Sequence, residues 1–111
     1  MIDNNKKQLD GWTDDIIQQF DIADKMRAFG FVTVSVDGSD VKEIDAAIDY
    51  LKTVKDSAVC IVLDTVKGAG VELFEKMADN HSVKFNDKKI NDETDRVLMN
   101  LEHVFKGEKD V

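Results

Sequence analysis

The segment Ala58-Val59-Cys60-Ile61-Val62-Leu63 is the stretch of sequence that decides the fold. Its six residues are all apolar, and a short apolar run without alternation is typical of a strand whose two faces are both covered. Strands of this kind occur in parallel sheets that carry helices on each side. The segment therefore predicts a strand, covered on both faces, of an α/β domain.

Extended and helical patterns alternate on the N-terminal side of this strand. Residues 31–36 alternate and are rich in β-branched side chains, which predicts a second strand. One helical face is indicated by Val41, Ile44, Ala47, Ile48 and Leu51, with Ser39 or Asp40 as the N-cap. Strands separated by helices imply a parallel sheet with right-handed crossovers.

The first thirty residues are predicted to open the same pattern. Ile2 ends a short strand, and a turn-rich loop follows over residues 3–11. The next segment is ambiguous, although Thr13 is a possible helix cap. A helix capped by Asp21 and ended by Gly30 precedes the second strand.

The C-terminal side is predicted to be less regular. A loop over residues 65–70 leads into one or two helical turns over residues 71–77. Residues 78–91 are polar and loop-like, and apolar spacing predicts a last helix over residues 92–105. We therefore expect one domain over residues 1–105 and a polar tail over residues 106–111.

Composition excludes several classes of partner. The chain has 111 residues and a net charge of −8, which disfavours nucleic acid and anionic membrane surfaces. Unaided binding of a phosphate ligand is also disfavoured, and a bound divalent cation would relieve the repulsion. The sequence has no secretion signal and no apolar stretch long enough for a membrane span. We expect a soluble, cytoplasmic protein.

Signatures of several other site classes are missing from the sequence. Cys60 is the only cysteine and has apolar neighbours, so we expect a buried, reduced core residue. One cysteine and two distant histidines do not make a zinc site. Lys67 precedes the glycines of its loop rather than following them, unlike the Walker pattern, and no Ser-His-Asp signature is present.

Polar turns follow the first and third predicted strands. Asn4 and Asn5 come after Ile2, and the Gly68-Ala69-Gly70 loop comes after residues 58–63. Carboxyl ends of parallel strands meet at one sheet edge, where α/β folds bind ligands, and His81 lies in the long loop beyond. An amide oxygen suits Mg²⁺. Taken alone, the same residues are also ordinary turn formers and an exposed loop histidine.

The segment Asp3-Asn4-Asn5-Lys6-Lys7-Gln8-Leu9-Asp10-Gly11-Trp12 resembles the end of the thiamine diphosphate motif of transketolases. More closely, it is similar to the N-terminal subunit of split bacterial transketolases. Further matches follow in order: Arg27-Ala28-Phe29-Gly30-Phe31, Val36-Asp37-Gly38-Ser39-Asp40 and Thr65-Val66-Lys67-Gly68-Ala69-Gly70-Val71. The resemblance covers roughly residues 1–85.

The resemblance assigns site roles to individual residues. It implies that the Asn5 side chain and the Lys7 backbone carbonyl bind Mg²⁺, which bridges a diphosphate. Leu9 matches an apolar position near the cofactor, and Gly68 is expected to bind the cofactor through its backbone. His81 falls where the family has a histidine that contacts diphosphate and substrate, so it is the catalytic candidate. The family usually follows that histidine with Gly and Pro, whereas Ser82 follows it here.

The fold implied is a parallel-sheet, Rossmann-like, thiamine diphosphate-binding fold of α/β class. The Gly-Asp-Gly segment that opens the family motif is not in the sequence, so we expect a fold truncated in its N-terminal half. The intact enzyme would transfer two-carbon ketol units between sugar phosphates of the pentose phosphate pathway, and we expect this chain to be inactive alone. Expected partners are a complementing transketolase subunit or a second copy. The alternative is a non-catalytic α/β interaction module that self-associates or complements a missing N-terminal piece.

Overall fold

A three-stranded parallel sheet forms around the strand at residues 59–64, which contains most of the apolar run, in the computed structural model, which describes residues 1–107. The strands in chain order are β1 (Ile2–Asn4), β2 (Lys7–Gln8), β3 (Gly11–Trp12), β4 (Val32–Asp37) and β5 (Val59–Asp64). The helices are α1 (Thr13–Ile16), α2 (Ile22–Ala28), α3 (Val41–Lys52), α4 (Glu72–Lys76) and α5 (Lys88–Phe105).

The strand order β1-β5-β4 places the apolar strand in the middle of the sheet. Both neighbours run parallel to β5, and Asn4 and Asp37 are each in register with Asp64. The carboxyl ends of all three strands therefore lie on one edge, as the alternating pattern predicted. This edge carries the polar turns.

The two faces of the sheet bury separate apolar clusters, because successive residues of β5 point to opposite sides. Ile61 packs with Val36, Ala47 and Leu51 on the face that α3 covers. Cys60 and Val62 pack with Ala23 of α2 on the other face. Cys60 is 4% exposed, so its expected burial is confirmed.

Aspartates begin three of the helices by accepting backbone N–H groups that have no partner inside the helix. Asp21 accepts from the N–H of Asp24 at the start of α2, and Asp87 caps α5 in the same manner. Asp40, and not Ser39, caps α3. Gly30 follows α2 at φ +91°, as the C-terminal glycine signal predicted.

Several local predictions are wrong. The segment predicted as a loop at residues 3–11 contains β2 and opens the β2–β3 hairpin. Thr13 does not cap α1, because its hydroxyl donates to the carbonyl of Lys6 instead. The last helix begins at Lys88, inside the predicted loop, because Asp87 caps it there. Val41 is 77% exposed and lies outside the core face.

The last helix stands away from the sheet. The radius of gyration of the Cα atoms is 18.1 Å, against about 13 Å for a compact chain of this length. Large apolar side chains of α5 are exposed, namely Leu98, Met99, Leu101, Val104 and Phe105. Within residues 1–107, no helix combines the length and apolar character that a membrane crossing requires. The predicted tail at residues 106–111 lies mostly outside the described residues.

Candidate functional site

The turn after β1 is organised by the side chain of Asn5. The Asn5 Oδ1 atom accepts from the backbone N–H of Lys7 at 3.0 Å, and its Nδ2 atom donates to the Asp3 carboxylate at 3.1 Å. Lys6 lies between them at φ +63°. This is the Asx turn expected of a turn-forming asparagine. An amide oxygen has two lone pairs, so Oδ1 retains capacity to bind a second group.

The hairpin orients the backbone of Lys7. Lys7 faces Trp12 across β2 and β3, and the N–H of Thr13 donates to the carbonyl of Lys6 at 2.9 Å. In an antiparallel pair of strands, the facing residues next to a hydrogen-bonded pair form no backbone hydrogen bonds with each other. Lys7 and Trp12 are such residues, so the N–H and C=O of Lys7 both point away from β3. Since the N–H meets the Asn5 oxygen, the Lys7 carbonyl lies along the same edge of the turn. Both residues line one cavity of about 210 Å³.

Side chains tie the Asn5 turn to the end of β5. The Asn4 amide donates to the Asp64 carboxylate at 2.8 Å, and Lys6 Nζ lies 3.0 Å from the same carboxylate oxygen. The Thr65 hydroxyl donates to the Asp3 carboxylate. These contacts hold the two polar turns side by side at the carboxyl edge of the sheet, the juxtaposition that the topology predicted.

Gly68 packs tightly against α4. It adopts φ +85°, and an added Cβ would lie 2.9 Å from the Cβ of Phe74. The buried Asn80 side chain closes the loop, because its Nδ2 atom donates to the carbonyls of Lys67 at 3.0 Å and Phe74 at 2.8 Å. The structure thus requires glycine at position 68 for packing within the chain. Its contact with a cofactor stays a prediction.

His81 is exposed and hydrogen-bonds to the neighbouring loop, between β5 and α4. Its Nδ1 atom lies 3.1 Å from Lys67 Nζ. A lysine ammonium only donates, so Nδ1 is the acceptor and the neutral ring carries its proton on Nε2. His81 and Leu9, which is 60% exposed beside Gln8 of β2, do not line the cavity beside Asn5. The structure brings Asn5 and Lys7 together and leaves these two outside that cavity.

The side chain of Lys7 is a feature that sequence reasoning missed. It is 6% exposed, its Nζ donates to the carbonyls of Glu75 and Met77, and it lies 4.3 Å from the centroid of the Trp12 ring. The resemblance drew attention only to its carbonyl. The aromatic residue on the facing strand was the available signal, but the pairing of β2 with β3 was not predicted.

The carboxyl edge also carries anionic groups besides Asp64. At the end of β4, the hydroxyl and N–H of Ser39 donate to the Asp37 carboxylate and hold its pKa below the ordinary value. Among residues 1–107, no three His, Cys, Asp or Glu side chains cluster closely enough to hold a metal ion. The oxygen atoms that could bind a metal ion at this edge are therefore the neutral oxygens of the Asn5 turn and carboxylates that do not cluster.

Comparisons with known proteins agree with the geometry. The family model described as transketolase, thiamine diphosphate binding domain, matches residues 1–111. The chain is 35% identical over 86 residues to 6-deoxy-6-sulfo-D-fructose transketolase subunit SqwG of Clostridium sp. (strain MSTE9), covering 78% of this chain and 31% of that protein. It is 30% identical over 81 residues to an apulose-4-phosphate transketolase subunit from Actinobacillus succinogenes, covering 71% of this chain and 28% of that protein.

The chain thus spans less than a third of the length of either relative. The family match nevertheless extends over every residue of the chain, including both polar turns. A parallel three-stranded sheet with helices on both faces is consistent with such a domain. The chain belongs to the transketolase family, and it matches the thiamine diphosphate-binding domain of that family.

Proposed function

We propose that this chain supplies the Mg²⁺- and diphosphate-binding turn of a transketolase-type enzyme that transfers two-carbon ketol units between sugar phosphates. The observation that carries the proposal is the common edge of the Asn5 oxygen and the Lys7 carbonyl, beside one cavity at the carboxyl end of a parallel sheet. Helices on both faces of that sheet support the Rossmann-like architecture.

Each residue has a chemical task in this proposal. Neutral oxygens of Asn5 and Lys7 suit the octahedral, oxygen-only preference of Mg²⁺, whose charge offsets the repulsion between a diphosphate and a chain of net charge −8. The Nε2–H of His81 is a donor for an anionic oxygen of diphosphate or substrate, and Lys67 orients it. Leu9 and Gly68 would contact the cofactor. Thiamine diphosphate, when bound, supplies the stabilisation of the carbanion.

We further propose that a second polypeptide completes the site. Both curated relatives are described as subunits of transketolases. Two neutral oxygens are fewer than the six that Mg²⁺ coordinates, and no further ligand cluster occurs among residues 1–107. The chain alone should give no turnover with ribose 5-phosphate, xylulose 5-phosphate, thiamine diphosphate and Mg²⁺. Turnover above the protein-free background would contradict this part of the proposal.

The metal site is testable even if binding is weak. Mn²⁺ replaces Mg²⁺ and broadens the NMR signals of nearby amides, so it is titrated with thiamine diphosphate into ¹⁵N-labelled chain. We expect broadening centred on residues 5–7. Asn5→Ala should abolish it, whereas Asn4→Ala, which removes a neighbouring amide bound to Asp64, should retain it. Broadening that is unchanged by Asn5→Ala, or that centres on exposed acidic side chains elsewhere, would refute the site.

The non-catalytic interaction module is a second candidate, favoured by one observation. The exposed side chains of Leu101, Val104 and Phe105 share one face of α5, and such a face is typical of a contact with another protein. Size-exclusion chromatography with light scattering distinguishes the candidates. A stable oligomer that shows no Mn²⁺ broadening with cofactor would favour the module.

A further inference from the structure

The buried ammonium group of Lys7 needs an explanation beyond turn formation. Removing a charged group from water is unfavourable unless partners replace the lost hydration. Here the carbonyl oxygens of Glu75 and Met77 accept its hydrogen bonds, the latter at 2.8 Å, and the face of Trp12 lies 4.3 Å away. A flexible surface lysine would not gather three such partners. The side chain occupies a built receptor.

That receptor is the carboxyl end of α4. The last carbonyls of a helix have no partner within it, and the helix dipole favours a cation there. Lys7 binds the carbonyl of Glu75 in the last turn and that of Met77, the residue directly after the helix, and Asn80 binds the carbonyl of Phe74 in the same turn. The end of this five-residue helix is therefore held by side chains from outside it.

The contacts of Lys7 connect the two halves of the candidate site. Its backbone N–H binds the Asn5 oxygen on one side, and its ammonium holds α4 on the other. Asn80 links α4 to the carbonyl of Lys67, whose ammonium binds His81. Hydrogen bonds, together with the backbone of α4 and the side chains of Lys7 and Lys67, thus connect the proposed metal ligand to the proposed catalytic histidine.

We propose that Lys7 is a positioning residue whose side chain locks the Asn5 turn to the segment 72–81, so that the metal-binding turn and His81 are held as one unit. The positioning role rests on the proposed function, whereas the mechanical link is a property of the chain itself. Loss of the ammonium should leave the sheet intact and release α4 together with the His81 loop.

Hydrogen exchange of the full chain tests the link without any ligand. In Lys7→Met we expect amide exchange over residues 72–81 to accelerate roughly tenfold to hundredfold, the range for losing charge-assisted hydrogen bonds. Exchange in β4 and β5 should be unchanged. Lys6→Met is the matched control, since it removes the same charge one residue away, from a group paired with Asp64. Lys7→Arg, which keeps a cationic donor, should restore most of the protection.

Two further measurements keep the test decisive. If Lys7→Met does not fold, the ammonium protons of the wild-type chain report directly: Lys7 should give a slowly exchanging NMR signal in the intact protein, and Lys6 should not. Addition of Mg²⁺ with thiamine diphosphate should slow exchange at residues 72–81 in the wild type but not in Lys7→Met.

The outcomes separate the two proposals. The link would be overturned if residues 72–81 of Lys7→Met exchanged at the wild-type rate, or if Lys6→Met accelerated their exchange equally. A rapidly exchanging Lys7 ammonium in the wild-type chain would also overturn it. Cofactor that slows exchange at residues 72–81 equally in the wild type and in Lys7→Met would overturn the positioning role. Absence of any cofactor effect in the wild type, with the ligand-free results as expected, would instead count against the proposed function and leave the mechanical link standing.

Discussion

Replacement of Gly68 by alanine tests whether the loop after β5 is held as tightly as the structure indicates. Gly68 has φ +85°, and the added Cβ would lie 2.9 Å from the Cβ of Phe74 and 3.1 Å from its carbonyl carbon. Neither atom is the far end of a flexible side chain, so relief requires movement of α4 itself. Gly70 is a matched control, because it has φ +92° and an added Cβ would meet nothing within 4 Å.

The two substitutions share one cost and differ in another. A residue with a Cβ at positive φ costs about 1–2 kcal/mol, and this applies to both positions. Overpacking adds about 1–3 kcal/mol, and this applies to Gly68 alone. The reduced freedom of the unfolded chain is the same for both variants and cancels. We therefore expect Gly68→Ala to lower the free energy of unfolding by about 1–3 kcal/mol more than Gly70→Ala.

Urea unfolding followed by far-UV circular dichroism measures this difference. Emission of the single tryptophan, Trp12, gives a second probe on the hairpin beside α4. Hydrogen exchange at residues 72–80 shows whether the loss is local, because a loosened α4 would exchange faster at constant global stability. Gly68 would not be packed as described if the two variants had equal free energies of unfolding and equal hydrogen exchange over α4. A lower free energy of unfolding for Gly70→Ala than for Gly68→Ala would show the same.

Four further predictions concern the core, a helix cap, pH and the thiol. Replacement of Val62, which is 2% exposed, by alanine should lower the free energy of unfolding by about 2–3 kcal/mol. The same replacement of Val41, which is 77% exposed, should lower it by less than about 0.5 kcal/mol. Urea unfolding midpoints measure both changes. Asp40→Ala should lower the free energy of unfolding by about 1 kcal/mol in the same assay, because it removes the N-cap of α3. An unchanged free energy of unfolding would show that this cap is not formed. The pKa of Asp37 in the folded chain lies below its ordinary value of 3.8, so the contribution of this carboxylate to stability is present above that value and is lost as the pH falls through the folded pKa. Asp37→Asn should make stability depend less on pH in this acid range. An unchanged pH dependence would contradict the hydrogen bonds from Ser39 to the Asp37 carboxylate. Cys60, 4% exposed, should react with a thiol reagent only after denaturation, whereas rapid labelling of the native chain would contradict its burial.

Residues with strong local patterns were predicted correctly. The apolar run at β5 forms a strand covered on both faces, because Cys60, Ile61 and Val62 are buried in succession, and the aspartates before α2 and α3 cap those helices as their positions suggested. Predictions failed where the pattern was short. The β2–β3 hairpin has two residues in each strand, too few for a recognisable alternation.

The candidate site was predictable only in part. The topology alone placed the turns after β1 and β5 at one edge, and the resemblance selected Asn5, Lys7 and His81. The buried hydrogen bonds of Lys7 and Asn80 were not predictable, because every acceptor is a backbone carbonyl, of Glu75 and Met77 for Lys7 and of Phe74 and Lys67 for Asn80. Carbonyls are present at every residue, so the sequence contains no signal that marks a particular one as an acceptor.

By itself, the sequence determined the alternation of strands and helices, the burial of Cys60 and the family. These follow from hydrophobic periodicity and local motifs, which act over a few residues. Tertiary structure alone decided that the Lys7 side chain is buried against α4 and that Gly68 cannot carry a Cβ. Lys7 and Met77 are 70 residues apart and meet only when the sheet brings β1 beside β5. Gly68 and Phe74 are close in sequence, but their contact depends on how α4 packs back against its own loop, and no local sequence pattern specifies that packing.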